Sequence, residues 1–274
     1  MELPNKKADS PVNWRKVARK PFQLLGMQTP GETARLLWRQ NILRKPYWWT
    51  EFPTAWQIDT NNHCGPKYSG VLCEYCWPQW KIAKGDWQYC EMPMEQIEWL
   101  LHNIDRYGNA MRDAWKSRNG LGYIAFFLNG DGLTEPRLPE ILKLSKKIAH
   151  EIGTQTFTCG AKSENAHLLC DKNLDYVCVT LSAHNRELYK KVHRGDKFDN
   201  VIETMQYITD NCNPDQYLEV HFVITQNNFA YMQDWKNLMN QKFPEWHRIF
   251  SPLVKSIDNE PSMKAMGNLT LEQQ

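Results

Sequence analysis

Between residue 55 and about residue 250 the chain alternates, six times, between a short apolar run and a longer amphipathic one, and few folds accommodate that rhythm. Runs at 56–60, 123–128, 154–158, 175–181, 217–225 and 246–250 have the length and the β-branched or aromatic content of strands. Between them, 93–117 places Ile97, Leu100, Leu101, Ile104, Tyr107 and Met111 at helical spacing, and 198–212 does the same with Phe198, Val201, Ile202, Met205 and Ile208. Helices are also predicted over 137–152, 162–170 and 230–242. Strands that alternate with helices pair in parallel through right-handed crossovers, and helices covering the sheet explain why the middle strands are almost wholly apolar. The expected class is therefore α/β with a parallel sheet, open or closed.

Residues 1–53 do not share this rhythm. They carry six prolines and a short amphipathic stretch at 33–43, and residues 1–50 hold ten Lys or Arg against three Asp or Glu. This reads as a basic lead-in segment, part helical and part irregular, whose charge is a solvated surface or a contact for an acidic partner. The division expected is 1–53 for the lead-in, 54–252 for the β/α unit and 253–274 for a tail without periodicity. No apolar run approaches the roughly 18 residues of a membrane span, and the polar start lacks a secretory signal, so a cytoplasmic protein with no membrane partner is expected. The eight cysteines are unevenly spaced in a long, core-forming chain, which favours metal binding over disulfides.

Three of those cysteines, Cys64, Cys73 and Cys76, follow the first predicted strand. Three thiolates can hold an iron–sulfur cluster while leaving one iron without a protein ligand, and an open metal position is where chemistry happens. The competing reading is a closed zinc site in a non-catalytic module, completed by His63 or Cys90. In parallel β/α architectures the loops at the C-terminal ends of the strands open on one side. Asn129, Gly130, Asp131, Gly132 and Glu135 would then share that side with the cysteines, as would Cys159, Ser182, His184 and Asn228.

With these segments the chain resembles the radical S-adenosylmethionine superfamily over roughly residues 54–250. The last two cysteines, preceded by the aromatic Tyr75, match the family's cluster motif, whereas the first gap holds eight residues in place of three. Gly130-Asp-Gly132-Leu-Thr-Glu135-Pro136 stands where the family has its Gly/Glu-Pro segment. Thr158-Cys159-Gly160 and Ser182 stand at its third and fourth strand ends, and 220–228 is similar to its fifth.

The resemblance implies a partial (β/α)6 TIM-like barrel that binds a 4Fe-4S cluster through Cys64, Cys73 and Cys76. It also implies reductive cleavage of S-adenosylmethionine to a 5′-deoxyadenosyl radical for hydrogen abstraction. By the same resemblance Tyr75, Asn129, Gly130, Asp131, Gly132, Glu135, Thr158, Ser182, Arg194, Ile224 and Asn228 line the cofactor. Asp131 or Glu135 would meet the methionine amine, Arg194 its carboxylate, and Ser182 the ribose. A reducing donor such as flavodoxin or ferredoxin is implied. A peptide or protein substrate is favoured over a small metabolite or a nucleic acid such as RNA.

Other features have plainer readings. Cys170, Cys178 and Cys212 are expected to be small buried hydrophobes. The aromatic group at 47–49 and the Trp-rich stretch at 77–87 would cover the barrel mouth. Glu219 and His221 share one face of the fifth strand, and with His184 and His193 they are candidates for a substrate pocket if that face points inward.

Overall fold

The computed structural model describes residues 55–76, 79–107, 122–127 and 130–252. The lead-in at 1–53, Asn129, the far end of the helix predicted over 93–117 and the tail at 253–274 lie outside them, as do the Trp48 and Trp49 side chains. Six strands form one sheet: β1 (Ala55–Ile58), β2 (Tyr123–Phe126), β3 (Gly153–Thr158), β4 (Tyr176–Thr180), β5 (Tyr217–Ile224) and β6 (His247–Pro252). Every neighbouring pair is parallel, and the spatial order is the chain order. A doubly wound sheet reverses its order at a switch point, and this one never does. Successive crossovers therefore keep one hand and place the helices on one face, as in a partial barrel.

Among the described residues the α-helices are α1 (Gln79–Lys84), α2 (Met94–Tyr107), α3 (Leu138–Ile148), α4 (Arg186–His193), α5 (Phe198–Asn211) and α6 (Met232–Lys242). Helix α3 starts just after Pro136 and carries Pro139 in its first turn, where a missing amide hydrogen costs nothing. It buries Leu138, Ile141 and Leu142 and packs against α2, which buries Ile97, Leu101 and Ile104. On the helix-facing side of the sheet Phe222 meets Trp235 of α6 at 5.0 Å, and Trp235 meets Phe250 of β6 at 5.1 Å. Side chains alternate along a strand. The opposite face of β3, β4 and β5 therefore carries Gln155 and Phe157, then Tyr176 and Cys178, then Tyr217, Glu219 and His221.

Two expectations about local structure are corrected. The segment 162–170 is a 3-10 helix, Ser163–Cys170, and 230–242 opens with a separate 3-10 turn, Phe229–Tyr231. Helix α4 was not anticipated, because its eight residues are mostly charged and only Leu188, Tyr189, Val192 and His193 are buried. Asn185 starts it, its side chain accepting from the Leu188 N–H at 2.9 Å, and Arg194 ends it in the left-handed region at φ 51° and ψ 42°.

Candidate active site

The loop after β1 is built on an acidic residue that belongs to another loop. Glu135 is 1% exposed, and its Oε2 accepts hydrogen bonds from Thr60 Oγ1 at 3.1 Å and Asn61 Nδ2 at 3.0 Å. Arg137 grips the same carboxylate through Nε at 2.8 Å and a terminal nitrogen at 2.7 Å, and donates to the carbonyls of Met92 and Thr60. Burial pushes the Glu135 carboxyl up, but the bonds from Arg137 outweigh it and hold it below its ordinary range. This bidentate pair fixes the start of the cysteine loop.

The long first gap of the cysteine motif folds into a compact turn. The Gly65 carbonyl accepts from the N–H groups of Tyr68, Ser69 and Gly70 at 3.2, 3.0 and 3.2 Å, and from Ser69 Oγ at 3.1 Å. Gly65 and Gly70, at φ +84° and +75°, hold the left-handed corners that such a turn needs. The chain then docks on α4, where the Leu72 N–H donates to the His193 carbonyl at 2.9 Å and the Glu74 N–H to that of Val192 at 2.8 Å. Glu74, buried between the second and third cysteines, accepts from Thr225 Oγ1 and Asn227 Nδ2, each at 2.6 Å. The cysteine loop is thereby anchored to the end of α4 and to the turn after β5.

The three thiols end up close enough to perturb one another. Burial, followed by the charge of Asp131, raises the Cys64 thiol to about 11; burial, followed by Cys64, raises Cys73 to about 12. Cys76 is pushed upward by burial and by both of its partners. Cys64 Sγ lies 3.7 Å from Ser69 Oγ, and Cys73 Sγ lies 3.2 Å from His193 Nδ1. His193 Nε2 accepts from the Ser182 N–H at 3.1 Å, so the ring proton sits on Nδ1 and points at the Cys73 sulfur. Burial lowers the His193 pKa to about 3, which keeps the ring neutral.

Thiols held protonated in this way become thiolates only with a strongly cationic occupant. A zinc ion with Zn–S bonds of about 2.3 Å would draw its donors to within about 4 Å of each other. Among the described residues one group of three or more His, Cys, Asp or Glu donors lies within 4.8 Å, and it is elsewhere, at Cys178, Glu219 and His221. Of the candidate fourth zinc ligands, His63 is otherwise engaged. His63 stacks on Tyr68 at 4.2 Å and faces Glu91 at 3.7 Å, while Cys90 is exposed.

The remaining predicted residues fall into distinct groups. Asp131 is 2% exposed; it accepts from Leu133 N and Thr158 Oγ1 through Oδ1, at 2.9 and 2.7 Å, and from Cys159 N through Oδ2 at 2.8 Å. It is the carboxylate beside the thiols, since its charge is felt by Cys64, Cys73 and Cys159. Gly130 and Gly132 answer to the protein itself. A Cβ would lie 2.6 Å from the Asn61 carbonyl at the first and 2.5 Å from Thr156 Oγ1 at the second.

Ser182 Oγ accepts from the Val223 N–H at 2.9 Å and donates to the Tyr75 hydroxyl at 3.4 Å, joining the cysteine loop to β4 and β5. Asn228 is an internal brace, donating to the carbonyls of Ser182 and Val223 and accepting from the Thr225 N–H. Ile224 shares the helix-facing side with Phe222 and belongs to the core. Arg194 is exposed, and the side chain of its turn that reaches the site is His193. Cys159, expected on the same side as the three cysteines, feels the charges of Cys64 and Cys73. Glu74 is a member that the sequence did not assign to the site, although an acidic residue inside the cysteine motif was a usable signal for it.

No family model and no curated protein matches this sequence. Solved structures do. The structure of native anSMEcpe with bound AdoMet superposes with a TM-score of 0.56 at 15% identity, over 74% of this chain and 53% of that one. Streptococcus suis SuiB bound to S-adenosylmethionine gives 0.55 at 13% identity, over 90% and 52%. Methylornithine synthase (PylB) gives 0.54 at 12% identity, over 92% and 68%. The chain thus spans about half the length of the first two. Likeness at this level of identity shows the fold, and the fold is the partial parallel β/α barrel expected from the resemblance to the radical S-adenosylmethionine superfamily.

Proposed function

We propose that the chain is a radical S-adenosylmethionine enzyme, in which Cys64, Cys73 and Cys76 hold a 4Fe-4S cluster and the adjacent loops hold S-adenosylmethionine. The observation that supports this most is the folded-back first gap, which returns Cys64 to Cys73 and Cys76 despite the eight residues between the first two. When bound, the pair supplies one-electron cleavage of the sulfonium to a 5′-deoxyadenosyl radical, the chemistry that opens unactivated C–H bonds. The electron donor is a low-potential protein of the flavodoxin or ferredoxin class.

The chain's own residues have separable tasks in this reading. His193 donates Nδ1–H to the Cys73 sulfur. Asp131, beside the thiols, is the carboxylate placed to meet the methionine amine, while Glu135 is committed to Arg137, Thr60 and Asn61 and frames the loop. The Ser182 hydroxyl stands at the end of β4 to contact the ribose.

Anaerobic reconstitution is expected to give brown protein with about four irons and four sulfides per chain. Dithionite and S-adenosylmethionine should then yield 5′-deoxyadenosine. Alanine at Cys64, Cys73 or Cys76 should abolish both the colour and the product, and Cys170→Ala should abolish neither. Colourless protein carrying stoichiometric zinc at these cysteines and no sulfide would sink the proposal.

A further inference from the structure

A second group of metal-type donors lies on strands β4 and β5, away from the cysteine loop. Cys178 is the register partner of Glu219, so their side chains stand next to each other on one face. His221, two residues along β5, shares that face, and its Nε2 contacts Glu219 Oε1. The Cys178 sulfur, a Glu219 oxygen and a His221 nitrogen all lie within 4.8 Å of one another. Cys178 is fully buried and Glu219 nearly so, whereas the His221 side chain is 22% exposed and leaves one side of the group open to approach.

Cys178 is buried as expected, but a carboxylate and an imidazole stand beside it. Thiolate, carboxylate and imidazole are the three ligand types that zinc and similar borderline divalent ions take, and three protein ligands with a fourth position open is the arrangement of non-structural zinc sites. A plainer account is a carboxylate satisfied by hydrogen bonds, since His221, Tyr176 and Cys178 all approach Glu219. A second observation favours a ligand. Gln155, on the same face of β3, is 2% exposed, and its buried Oε1 has no hydrogen-bond partner among the described residues. It is the register partner of Tyr176, two residues before Cys178 on β4, and so stands diagonally from Cys178 on the same face. An unpaired amide oxygen in such a place costs about 1–3 kcal/mol, and a metal ion or its bound water would satisfy it.

We infer that Cys178, Glu219 and His221 form a binding site for one borderline divalent metal ion of the zinc class, with an open position beside Gln155 that takes water or a Lewis-basic group of a substrate. The site is independent of the cluster, because it shares no residue with the cysteine loop.

The test uses the full chain with its cluster reconstituted, exposed anaerobically to Zn2+ alone and desalted. About one zinc per chain is expected, and absorption at the zinc edge should show one sulfur at about 2.3 Å with nitrogen or oxygen neighbours near 2.0–2.1 Å. Cys178→Ser and His221→Gln should each weaken zinc retention at least tenfold while iron and sulfide stay unchanged. His221→Gln decides the matter if the buried Cys178 variant does not fold. Zinc that is not retained overturns the inference, as does zinc with three or four sulfur neighbours that both variants keep. Iron and sulfide are counted in the same samples, so a failed cluster is seen separately from a failed zinc site.

Discussion

The molecule holds cysteine in two chemically loaded settings that are built in opposite ways. Cys64, Cys73 and Cys76 sit on a loop whose path is imposed from outside, by Glu135 at its start, by α4 along its middle and by Thr225 and Asn227 through Glu74. Cys178, Glu219 and His221 need no such scaffolding, since β4 and β5 pair in a register that sets them side by side. A loop site is adjustable but depends on many distant hydrogen bonds. A strand site is fixed by the ladder and is as stable as the sheet. Perturbing the supports of the loop should therefore unload the cysteine site and leave zinc retention at the strand site intact.

The largest such effect is expected at Glu135. Its removal leaves Arg137 without its carboxylate and strips Thr60 and Asn61 of their acceptor, so Glu135→Ala should destabilise the fold by about 3 kcal/mol in urea titration and reduce cluster content. The folded carboxyl titrates below the unfolded value of about 4.3. Its contribution is thus fully present above that pH and is lost as pH falls through the folded value. The wild-type unfolding midpoint should drop across this acidic window, and the variant should lack that component. Loss of zinc at Cys178 in parallel with the cluster would mean that the two sites share one frame.

Gly195 comes next. A Cβ there would lie 2.4 Å from the Gly70 carbonyl and 2.8 Å from Val71 Cγ1, where backbone and not a flexible tip must yield. Gly195→Ala should cost about 2 kcal/mol and lift the loop from α4, with a loss of iron and sulfide measured per chain. A smaller effect, about 1.5 kcal/mol, is expected for Glu74→Gln, which keeps the shape and one acceptor oxygen but removes the charge and sets an amide NH2 where the second acceptor stood. Full cluster content in either variant would show that the loop does not need these anchors.

The same contrast explains what was legible in the sequence. The loop site was readable because its three cysteines and the Gly/Glu-Pro segment are contiguous motifs, and the six strands were readable because their apolar runs are short and regularly spaced. The strand site was only half readable. Glu219 and His221 were visible as an i, i+2 pair, but Cys178 joins them through the β4–β5 register, which no local pattern encodes. For the same reason the separate tasks of Asp131 and Glu135 were left open: both carboxylates stand in one short segment, and Arg137 and the thiols sort them only in three dimensions. Cys170 and Cys212 were read as small buried hydrophobes; both are partly buried, and their sulfurs lie 2.7 Å apart between the 3-10 helix and the end of α5, a contact 42 residues apart in the chain.

The smallest and most local prediction concerns His193. Its ring stacks on Tyr189 at 4.2 Å and places Nδ1–H against the Cys73 sulfur, so in the proposed reading it would act through a ligand and not on a substrate. A hydrogen bond to a ligand sulfur favours the more negative, reduced state of an iron–sulfur centre. His193→Phe preserves the stacked ring and removes the donor, a change of about 1 kcal/mol, which for one electron lowers the midpoint potential by about 40 mV. A redox titration followed by electron paramagnetic resonance reads this shift directly, at unchanged iron and sulfide content. Zinc retention at Cys178 should be the same as in the parent protein, because β4 and β5 keep their register without the imidazole. An unchanged potential would mean that the Nδ1 proton serves the Tyr75 hydroxyl, 3.5 Å away, and that the link between α4 and the cysteines is one of position alone.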